Sequence, residues 1–299
     1  MTADSAPARV FDGGAERAAA DLLVCGSMEM SPDRADDAAA LAALLPSGIK
    51  VYVNHLPRHG LSQSLTALTA LHDAGLAPVP HIAARRVASH AELESFLKQA
   101  VSTAGVSRVL LIGGDDRQPR GPYADGMALL GEGSLARYGV KEIGLPGYPE
   151  GHPRIPRATL EQALADKIAL AADQGIGAFI VTQFSFAPTR VVEYCNELAR
   201  SLPAVPVYVG MAGPTSAATL LRFAQRCGVS ASLRALQAQG MGAVRMFTHT
   251  DPAEQLTAVA HYCVQHAGCN VVGAHLFSFG NATKTAEWIN HAITARRAV

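Results

Sequence analysis

Short apolar segments alternate with longer segments of helical apolar spacing along most of this 299-residue chain. The apolar segments are rich in Val, Leu and Ile, and a polar or Gly-rich stretch follows each of them. Strands that alternate with helices in this way are typical of a parallel sheet covered by helices. The chain contains eight such units. A single closed (β/α)8 TIM barrel, an α/β fold, accommodates all of them.

The alternation predicts the individual elements. Strands are predicted at 22–26, 51–53, 78–82, 108–112, 143–145, 205–209 and 270–275, with a further strand that ends at 181–184. Helices are predicted at 33–45, 61–74, 90–104, 123–138, 158–174, 190–202, 230–247, 251–265 and 282–296, and a Gly-rich turn at 210–215. Residues 1–18 have no apolar period, so we expect a loose arm that can include a short helix, followed by the catalytic barrel domain at 19–299.

A doubly wound open sheet is the alternative fold for such a pattern. That fold places a Gly-x-Gly-x-x-Gly sequence after its first strand and an acidic residue further along, where a dinucleotide binds. The chain has neither feature at the required distance. It also has no internal repeat or linker that would divide it into two domains, so we favour one barrel.

The composition indicates a globular protein that acts on a small molecule. Hydrophobic residues make up 49% of the chain and charged residues 17%, which is sufficient for a large core. Lys plus Arg and Asp plus Glu both number 25, so no net field favours nucleic acid or an anionic membrane. The N-terminus does not resemble a signal peptide, and no apolar run has the length of a membrane helix. We therefore predict a cytoplasmic location.

The cysteines predict neither a disulfide framework nor a zinc site. Their number is odd and no two are spaced as Cys-x-x-Cys. Three of them lie inside apolar segments. We predict buried free thiols at Cys25, Cys195, Cys227, Cys263 and Cys269.

Polar side chains are predicted where the strands end. In an α/β barrel these ends converge on one face, and that face holds the active site. The predicted set is Glu29, Asn54, His81, Asp115, Tyr148, His152, Gln183 and His275. Any one of these groups can instead satisfy a nearby backbone group. Glu29 and Asp115 stand out because a carboxylate is costly to bury between apolar strands.

Histidines at strand ends also allow a metal-dependent barrel hydrolase. The candidate ligands are His55, His81, His152 and His275. The chain has no His-x-His at the first strand and no His-Glu-x-x-His. We therefore predict no metal site and keep the hydrolase as a lesser alternative.

Four segments, in chain order, resemble motifs of the methylenetetrahydrofolate reductase family. Ser27-Met28-Glu29 with Pro32 resembles the family's Ser-Phe-Glu-Phe-Phe-Pro, and Gly114-Asp115 resembles the end of its Arg-Gly-Asp turn. Residues 148–153 resemble Tyr-Pro-Glu-x-His-Pro, and residues 182–186 resemble Thr-Gln-Phe-Phe-Phe. The likeness extends from about residue 22 to residue 288.

The resemblance implies a flavoenzyme that interconverts 5,10-methylenetetrahydrofolate and 5-methyltetrahydrofolate. Glu29 would be the general acid that opens the five-membered folate ring, so its surroundings should favour the protonated form. Asp115 would hydrogen-bond the pterin and tune the flavin. Gln183 would donate to and accept from the pterin edge. These three residues are the predicted catalytic and substrate-binding set.

The resemblance also implies FAD as the cofactor. The predicted FAD-binding residues are Asn54, His81, Gly114, Asp115, Tyr123, Ala124, Tyr148, His152 and Lys167. Among them Lys167 would contact the phosphates. The reductant would be NADH or NADPH, the oligomer a homodimer, and the pathway one-carbon metabolism linked to methionine biosynthesis.

Three departures from the family pattern bear on the electron donor. Gly113 replaces the Arg of Arg-Gly-Asp, Ala217 replaces a stacking Phe, and Asn281 replaces a substrate-binding Arg. Lys284 and Arg120 are candidates to restore the lost charge. These departures leave open a redox partner protein as donor. They also leave open a folate- or flavin-binding subunit that needs a partner for electron transfer.

Overall fold

The computed structural model describes residues 14–227 and 251–297, together with Phe11 and Val229. Its strands are β1 (Ser27–Met30), β2 (Lys50–Val53), β3 (Ala77–Ala83), β4 (Arg108–Ile112), β5 (Glu142–Gly147), β6 (Gly177–Thr182), β7 (Val207–Ala212) and β8 (Val271–Phe277). They form one closed parallel barrel in chain order from β1 to β8. The predicted (β/α)8 barrel is confirmed.

Helices follow the strands as the apolar spacing predicts. Within the described residues they are α1 (Ala15–Val24), α2 (Ala38–Leu44), α3 (Leu65–Asp73), α4 (His90–Ala104), α5 (Gly126–Gly131), α6 (Ser134–Arg137), α7 (Arg157–Asp173), α8 (Pro188–Ser201), α9 (Ala217–Cys227), α10 (Ala253–Gln265) and α11 (Ala282–Arg297). Short 3-10 segments cover Pro32–Asp37, Leu61–Ser64 and Ala84–Arg86. None of the helices in the described ranges is both long enough and apolar enough to cross a membrane.

The chain divides into two compact units. The first unit holds Met30–Pro146 and Ala158–Ile180, and it contains β2 to β4 with most of β5 and β6. The second unit holds Gly147–Arg157, the described part of Val181–Val299, and the segment that ends at Glu29. It contains β7, β8 and most of β1.

Helix α4 of the first unit shows how the local sequence sets the ends of an element. The Ser89 side chain accepts a hydrogen bond from the backbone N–H of Glu92, which caps the first turn. Gly105 ends the helix in the left-handed region at φ 59°, where a side chain is unfavourable. Phe96 and Leu97 are buried between these caps. The helix predicted at 90–104 is confirmed.

The first predicted strand, at 22–26, is wrong. Leu22 and Leu23 are buried residues of α1, which packs against α10, α11 and β8 in the second unit. The preceding run of Ala favours a helix and carries it through the apolar residues to Val24. The chain then turns at Gly26, where a Cβ would lie 2.5 Å from the carbonyl oxygen of Ala274. The strand begins only at Ser27, so Glu29 lies inside β1 and not beyond its end.

Other predicted boundaries also differ. The helix predicted at 123–138 is two short helices, because Gly133 between them has φ 76°. Gly210 and its two successors belong to β7 and not to a turn. His81 and His275 lie within β3 and β8 and not after them. The predicted helix at 230–247 and most of the arm at 1–18 lie outside the described residues, although α1 already begins at Ala15.

Cysteine side chains in the described residues agree with the prediction of free thiols. Cys195, Cys263 and Cys269 are buried and Cys25 is half-buried, and none of these four forms a disulfide. The side chain of Cys227 lies outside the described part of the structure. Burial is therefore confirmed for Cys195, Cys263 and Cys269, whereas the prediction of a buried Cys25 is wrong.

Candidate active site

A cleft of the first unit lies at the ends of β2 and β3. The space among its lining residues measures about 190 Å³ and includes open solvent. Its lining residues are Pro32, Asn54, His55, His59, Gly60, Leu61, Ser64 and His81. Almost none of this space is wide enough for a water molecule, so the cleft marks where polar side chains face a common surface and is not an open ligand pocket.

Two residues that the sequence assigned to FAD meet in this cleft. Asn54 follows β2, and its backbone N–H donates to the carbonyl oxygen of Met30 at 3.1 Å. His81 is buried in β3, with its ring edge against Tyr52 at 5.8 Å between centroids. Asn54 therefore brings an amide, and His81 an imidazole, to the wall of one cleft.

His55 lines the same cleft but uses both ring nitrogens within the protein. Its Nδ1 accepts from the backbone N–H of Ala83 at 3.2 Å, and its Nε2 donates to the carbonyl oxygen of His59 at 3.1 Å. These bonds require the neutral ring. Burial, followed by the nearby Arg86 guanidinium, lowers the pKa of His55 to about 4. His55 is thus a structural residue and a poor candidate for a metal ligand.

The buried neutral His55 predicts an acid-sensitive fold. The unfolded chain binds a proton at His55 near pH 6.5, whereas the folded chain does so only near pH 4. Stability from this group is therefore complete above pH 6.5 and is lost as the pH falls towards 4, by about 3 kcal/mol in total. We expect the free energy of urea unfolding to fall less steeply over this range in His55→Gln than in the wild type.

The exposed His291 provides the control for that measurement. His291→Gln should retain the wild-type dependence of unfolding on pH. An unchanged pH dependence in His55→Gln would show that His55 is not held neutral in the fold.

An ionic network that the sequence did not predict ties together the segments after β2, β3 and β4. The buried Arg86 donates from Nε to Asp116 at 2.7 Å and from Nη1 to the carbonyl oxygen of His55 at 2.6 Å. Arg120 donates to the other Asp116 oxygen at 2.8 Å and to the carbonyl oxygen of Pro57 at 2.5 Å. Burial acts to raise the pKa of Asp116, but the hydrogen bonds from the two guanidinium groups hold it below its usual value.

The turn after β4 precedes this network directly. Gly114 has φ 89°, so its backbone suits glycine. A Cβ at Gly113 would meet no atom within 4 Å, so the backbone there is open. Asp115 is exposed, whereas its neighbour Asp116 carries the ion pairs. Asp115 is therefore the carboxylate of this turn that remains accessible.

Tyr123 and Lys167 occupy different surroundings in the same unit. Tyr123 is buried, and its hydroxyl donates to Glu132 and lies 2.9 Å from Nδ1 of His90. Burial, followed by Glu132, raises the pKa of Tyr123. Burial also lowers the pKa of the half-buried Lys167, while Asp125, the residue after Ala124, acts in the opposite direction. The Tyr123 hydroxyl is thus used in a hydrogen bond within the protein, whereas the half-buried Lys167 is a cation that a ligand can reach.

Glu29 lies beside a buried histidine in the second unit. Ser27 and Glu29 are two residues apart on β1 and so face the same side, and Ser27 pairs in register with His275 of β8. Ser27 Oγ and His275 Nδ1 are 2.8 Å apart, and His275 Nε2 lies 3.6 Å from a carboxylate oxygen of Glu29. His275 is fully buried and Glu29 is 8% exposed. This geometry holds a carboxyl group in a dry environment next to a group that can exchange a proton.

The remaining predicted residues of the second unit follow β5 and β6. Tyr148 donates its backbone N–H to the hydroxyl of Tyr194, and its ring meets His152 edge-on at 5.5 Å. His152 Nδ1 accepts from the backbone N–H of Arg154. Gln183 donates its backbone N–H to Gly147, and its side-chain oxygen accepts from the N–H of Phe184. Gln183 thus directs its carbonyl to the backbone and keeps an amide N–H₂ as donor.

Residues 35–238, more than half of the chain, match the family model described as methylenetetrahydrofolate reductase. The chain belongs to the methylenetetrahydrofolate reductase family. The match covers Asn54, His81, Asp115 and Gln183. It does not cover Glu29, whose assignment rests on its own motif and geometry.

A curated relative carries the name of the family. Methylenetetrahydrofolate reductase 2 of Saccharomyces cerevisiae is 32% identical over 83 residues, which are 28% of this chain. The aligned part spans only 14% of the yeast protein, so the chain matches about a seventh of that relative's length.

Two solved structures resemble the chain. A proposed phosphonomutase from Burkholderia cenocepacia aligns with a TM-score of 0.51 at 11% identity and covers 89% of this chain and 93% of its own. That likeness supports the fold alone. Dihydropteroate synthase from Thermus thermophilus aligns with a TM-score of 0.47 at 16% identity, with 92% of both chains covered, and carries no argument at that score.

The first unit offers groups that fit the flavin nucleotide expected for a methylenetetrahydrofolate reductase family member. The open backbone at Gly113 lets a flat ring approach closely. Asn54 and His81 line one cleft with polar side chains, and Lys167 is a half-buried cation of the kind that pairs with phosphates. The donor set is therefore compatible with FAD.

The structure gives the contacts of Arg120 and Asn281, two residues that bear on the departures from the family pattern. Arg120, a candidate to replace the Arg absent at Gly113, is engaged by Asp116 and Pro57. Asn281 caps α11 by accepting from the N–H of Lys284, which is exposed. The side chain of Ala217 lies outside the described residues.

Groups of three or more metal-binding side chains are absent from the described residues. Of the histidines considered as ligands, His55 donates and accepts within the first unit, and His275 is near Ser27 and Glu29 in the second. The sequence alternative of a metal-dependent hydrolase therefore gains no support from this geometry.

Proposed function

We propose that this protein is an FAD-dependent methylenetetrahydrofolate reductase that interconverts 5,10-methylenetetrahydrofolate and 5-methyltetrahydrofolate. The observation that carries the proposal is the nearly buried Glu29 beside the fully buried His275, in a chain of this family. A carboxyl group that must donate a proton needs such a dry environment, because burial disfavours its charged form.

The proposed roles follow the chemistry of each side chain. Glu29 donates its proton to a folate ring nitrogen, which opens the five-membered ring and leaves an iminium carbon. Asp115 accepts hydrogen bonds from the pterin, and the amide of Gln183 donates to its carbonyl edge. His275, which Ser27 holds through Nδ1, lies beside Glu29 and keeps it in position.

FAD, when bound, would carry the hydride that reduces the iminium carbon. In this proposal Asn54, His81, Gly114 and Asp115 hold the ring, and Lys167 neutralises phosphate charge. Tyr123, Ala124, Tyr148 and His152 complete the set that the family resemblance assigns to FAD. The Tyr123 hydroxyl already donates a hydrogen bond to Glu132, so we propose that Tyr123 contacts FAD through its ring or its backbone.

The electron donor is NADH or NADPH in this proposal, and a redox partner protein is the alternative. Gly113 in place of an Arg favours the alternative, since it removes a guanidinium that could pair with a nucleotide phosphate. The same residue favours a second candidate function, a folate- and flavin-binding subunit that works only with a partner. A cytoplasmic homodimer that serves one-carbon metabolism and methionine biosynthesis remains part of the proposal.

The visible absorption spectrum of the purified protein, recorded without oxygen, tests the proposal. We expect flavin bands after reconstitution with FAD, and we expect these bands to bleach on addition of NADH or NADPH. Bleaching by 5-methyltetrahydrofolate alone would retain the folate chemistry and indicate a protein electron donor.

One result would contradict the proposed flavoenzyme, and another would contradict the metal-dependent hydrolase. A protein that stays colourless after incubation with FAD would contradict the flavoenzyme. Elemental analysis that finds no stoichiometric metal, with activity unchanged by a chelator, would remove the metal-dependent hydrolase.

A further inference from the structure

We propose that Arg86 and Asp116 are positioning residues that hold the flavin-binding segments of the first unit in place. This inference rests on the proposed function. The group formed by Arg86, Asp116 and Arg120 is called the Arg86 clamp below. Its members bind one another and the backbone of the segment after β2.

Arg86 is the centre of the clamp. It lies at the end of the 3-10 segment after β3 and is only 7% exposed. One guanidinium nitrogen binds the carbonyl oxygen of His55, the residue after Asn54, at 2.6 Å. Another binds Asp116, the residue after Asp115, at 2.7 Å. One buried side chain therefore fixes the neighbours of two residues proposed to contact the flavin.

Arg120 closes the clamp from the far side of the β4 turn. It binds the second carboxylate oxygen of Asp116 and the carbonyl oxygen of Pro57. Backbone bonds reinforce it, because the Arg85 N–H donates to Gly113 at 3.0 Å and the Arg120 N–H donates to Arg85 at 2.9 Å. The segments after β2, β3 and β4 are thus tied to one carboxylate.

Such a clamp preorganises a binding site. A Cβ at Gly113 would meet no atom within 4 Å and Gly114 has φ 89°. Glycine restricts the backbone least, so the position of Asp115 depends on neighbouring contacts. Charge-assisted hydrogen bonds are stronger and more directional than neutral ones. Binding is weaker when a ligand must first order the groups that contact it. Loss of the clamp should therefore weaken flavin binding beyond any effect on stability.

The Arg108–Glu142 ion pair provides a matched control in the same unit. It joins β4 to β5 at 2.5 Å, but at the first residues of both strands. Residues at the N-terminal ends of barrel strands contribute to stability, whereas those at the C-terminal ends form the site. Glu142→Gln therefore breaks an ion pair without touching the proposed flavin segments.

The test compares FAD affinity with stability in Asp116→Asn, Asp116→Glu and Glu142→Gln. Binding is measured by the change in flavin fluorescence on titration of apoprotein into FAD, and stability by thermal unfolding of each apoprotein. We expect Asp116→Asn to bind FAD about tenfold more weakly or worse, since one charge-assisted bond is worth at least a factor of about ten. Asp116→Glu should recover part of this loss, and Glu142→Gln should bind within about twofold of the wild type.

The outcomes separate the clamp from the proposed function. Equal FAD affinity of wild type and Asp116→Asn would overturn the clamp and leave the flavoenzyme intact. A wild type that does not bind FAD would remove the proposed function, and the clamp with it. If Asp116→Asn does not fold, Arg86→Lys decides, because a single ammonium cannot reproduce the paired bonds to His55 and Asp116. Wild-type affinity in that variant would equally overturn the clamp.

Discussion

Glu29→Gln is expected to lower the rate of folate turnover by about 10²–10⁴-fold, the usual contribution of a general acid. Gln has nearly the same shape as Glu and can occupy the same place beside His275. Its amide cannot donate a proton as a carboxylic acid does, so ring opening loses its acid. The measurement is steady-state turnover of the FAD-loaded protein with an artificial electron donor.

Two further measurements show whether the loss is specific. FAD affinity should be unchanged in Glu29→Gln, because Glu29 is not proposed to bind the cofactor. Glu94→Gln is the matched control, since Glu94 pairs with Arg137 on the surface and such pairs contribute at most about 1 kcal/mol. Full turnover in Glu29→Gln would contradict the role of Glu29 as the acid.

The alternation of strands with helices could be predicted because it depends on local patterns. Helix α4 begins after a Ser cap and ends at Gly105, and both signals lie within the segment itself. The prediction of the first strand was wrong because a short Leu-Leu-Val run suits a buried helix as well as a strand. Only the packing of Leu22 and Leu23 in α1 decides between them.

The candidate site could be predicted in its residue types but not in its supporting contacts. Asn54 and His81 were expected near each other, and the cleft of the first unit brings them together. The Arg86–Asp116 bond joins residues 30 positions apart, and its geometry depends on the pairing of β3 with β4. The sequence signal for this bond is the pair Arg85-Arg86 after an apolar strand. Two adjacent Arg residues are also common on exposed surfaces, so this signal does not predict a buried ion pair.

The partner of the proposed acid shows the same limit. His275 was placed among the strand-end residues, but its contact with Ser27 follows from parallel pairing of the first and last strands. That pairing exists only because the barrel closes. The closed barrel therefore predicts the residue next to Glu29, whereas the local motif around Glu29 does not.

Gly210→Ala is expected to destabilise the fold by about 3 kcal/mol or more, at the upper end of the usual cost of overpacking. A Cβ at Gly210 would lie 1.9 Å from the carbonyl oxygen of Thr182 and 2.8 Å from the Phe277 ring. The first of these atoms is backbone of β6, so it cannot rotate away. Gly210 is also held by the Thr182 hydroxyl and by the Gln255 side chain, which oppose a shift of β7.

Urea unfolding of Gly210→Ala against Gly131→Ala measures this effect. Gly131 ends α5, and a Cβ there would meet no atom within 4 Å. Ala has the better helix propensity, so Gly131→Ala should be neutral or more stable by up to about 1 kcal/mol. Because typical domains are stable by only about 5–15 kcal/mol, the Gly210 variant should unfold at a clearly lower urea concentration. Equal midpoints for the two variants would mean that β6 and β7 have more space at Gly210 than this structure gives them.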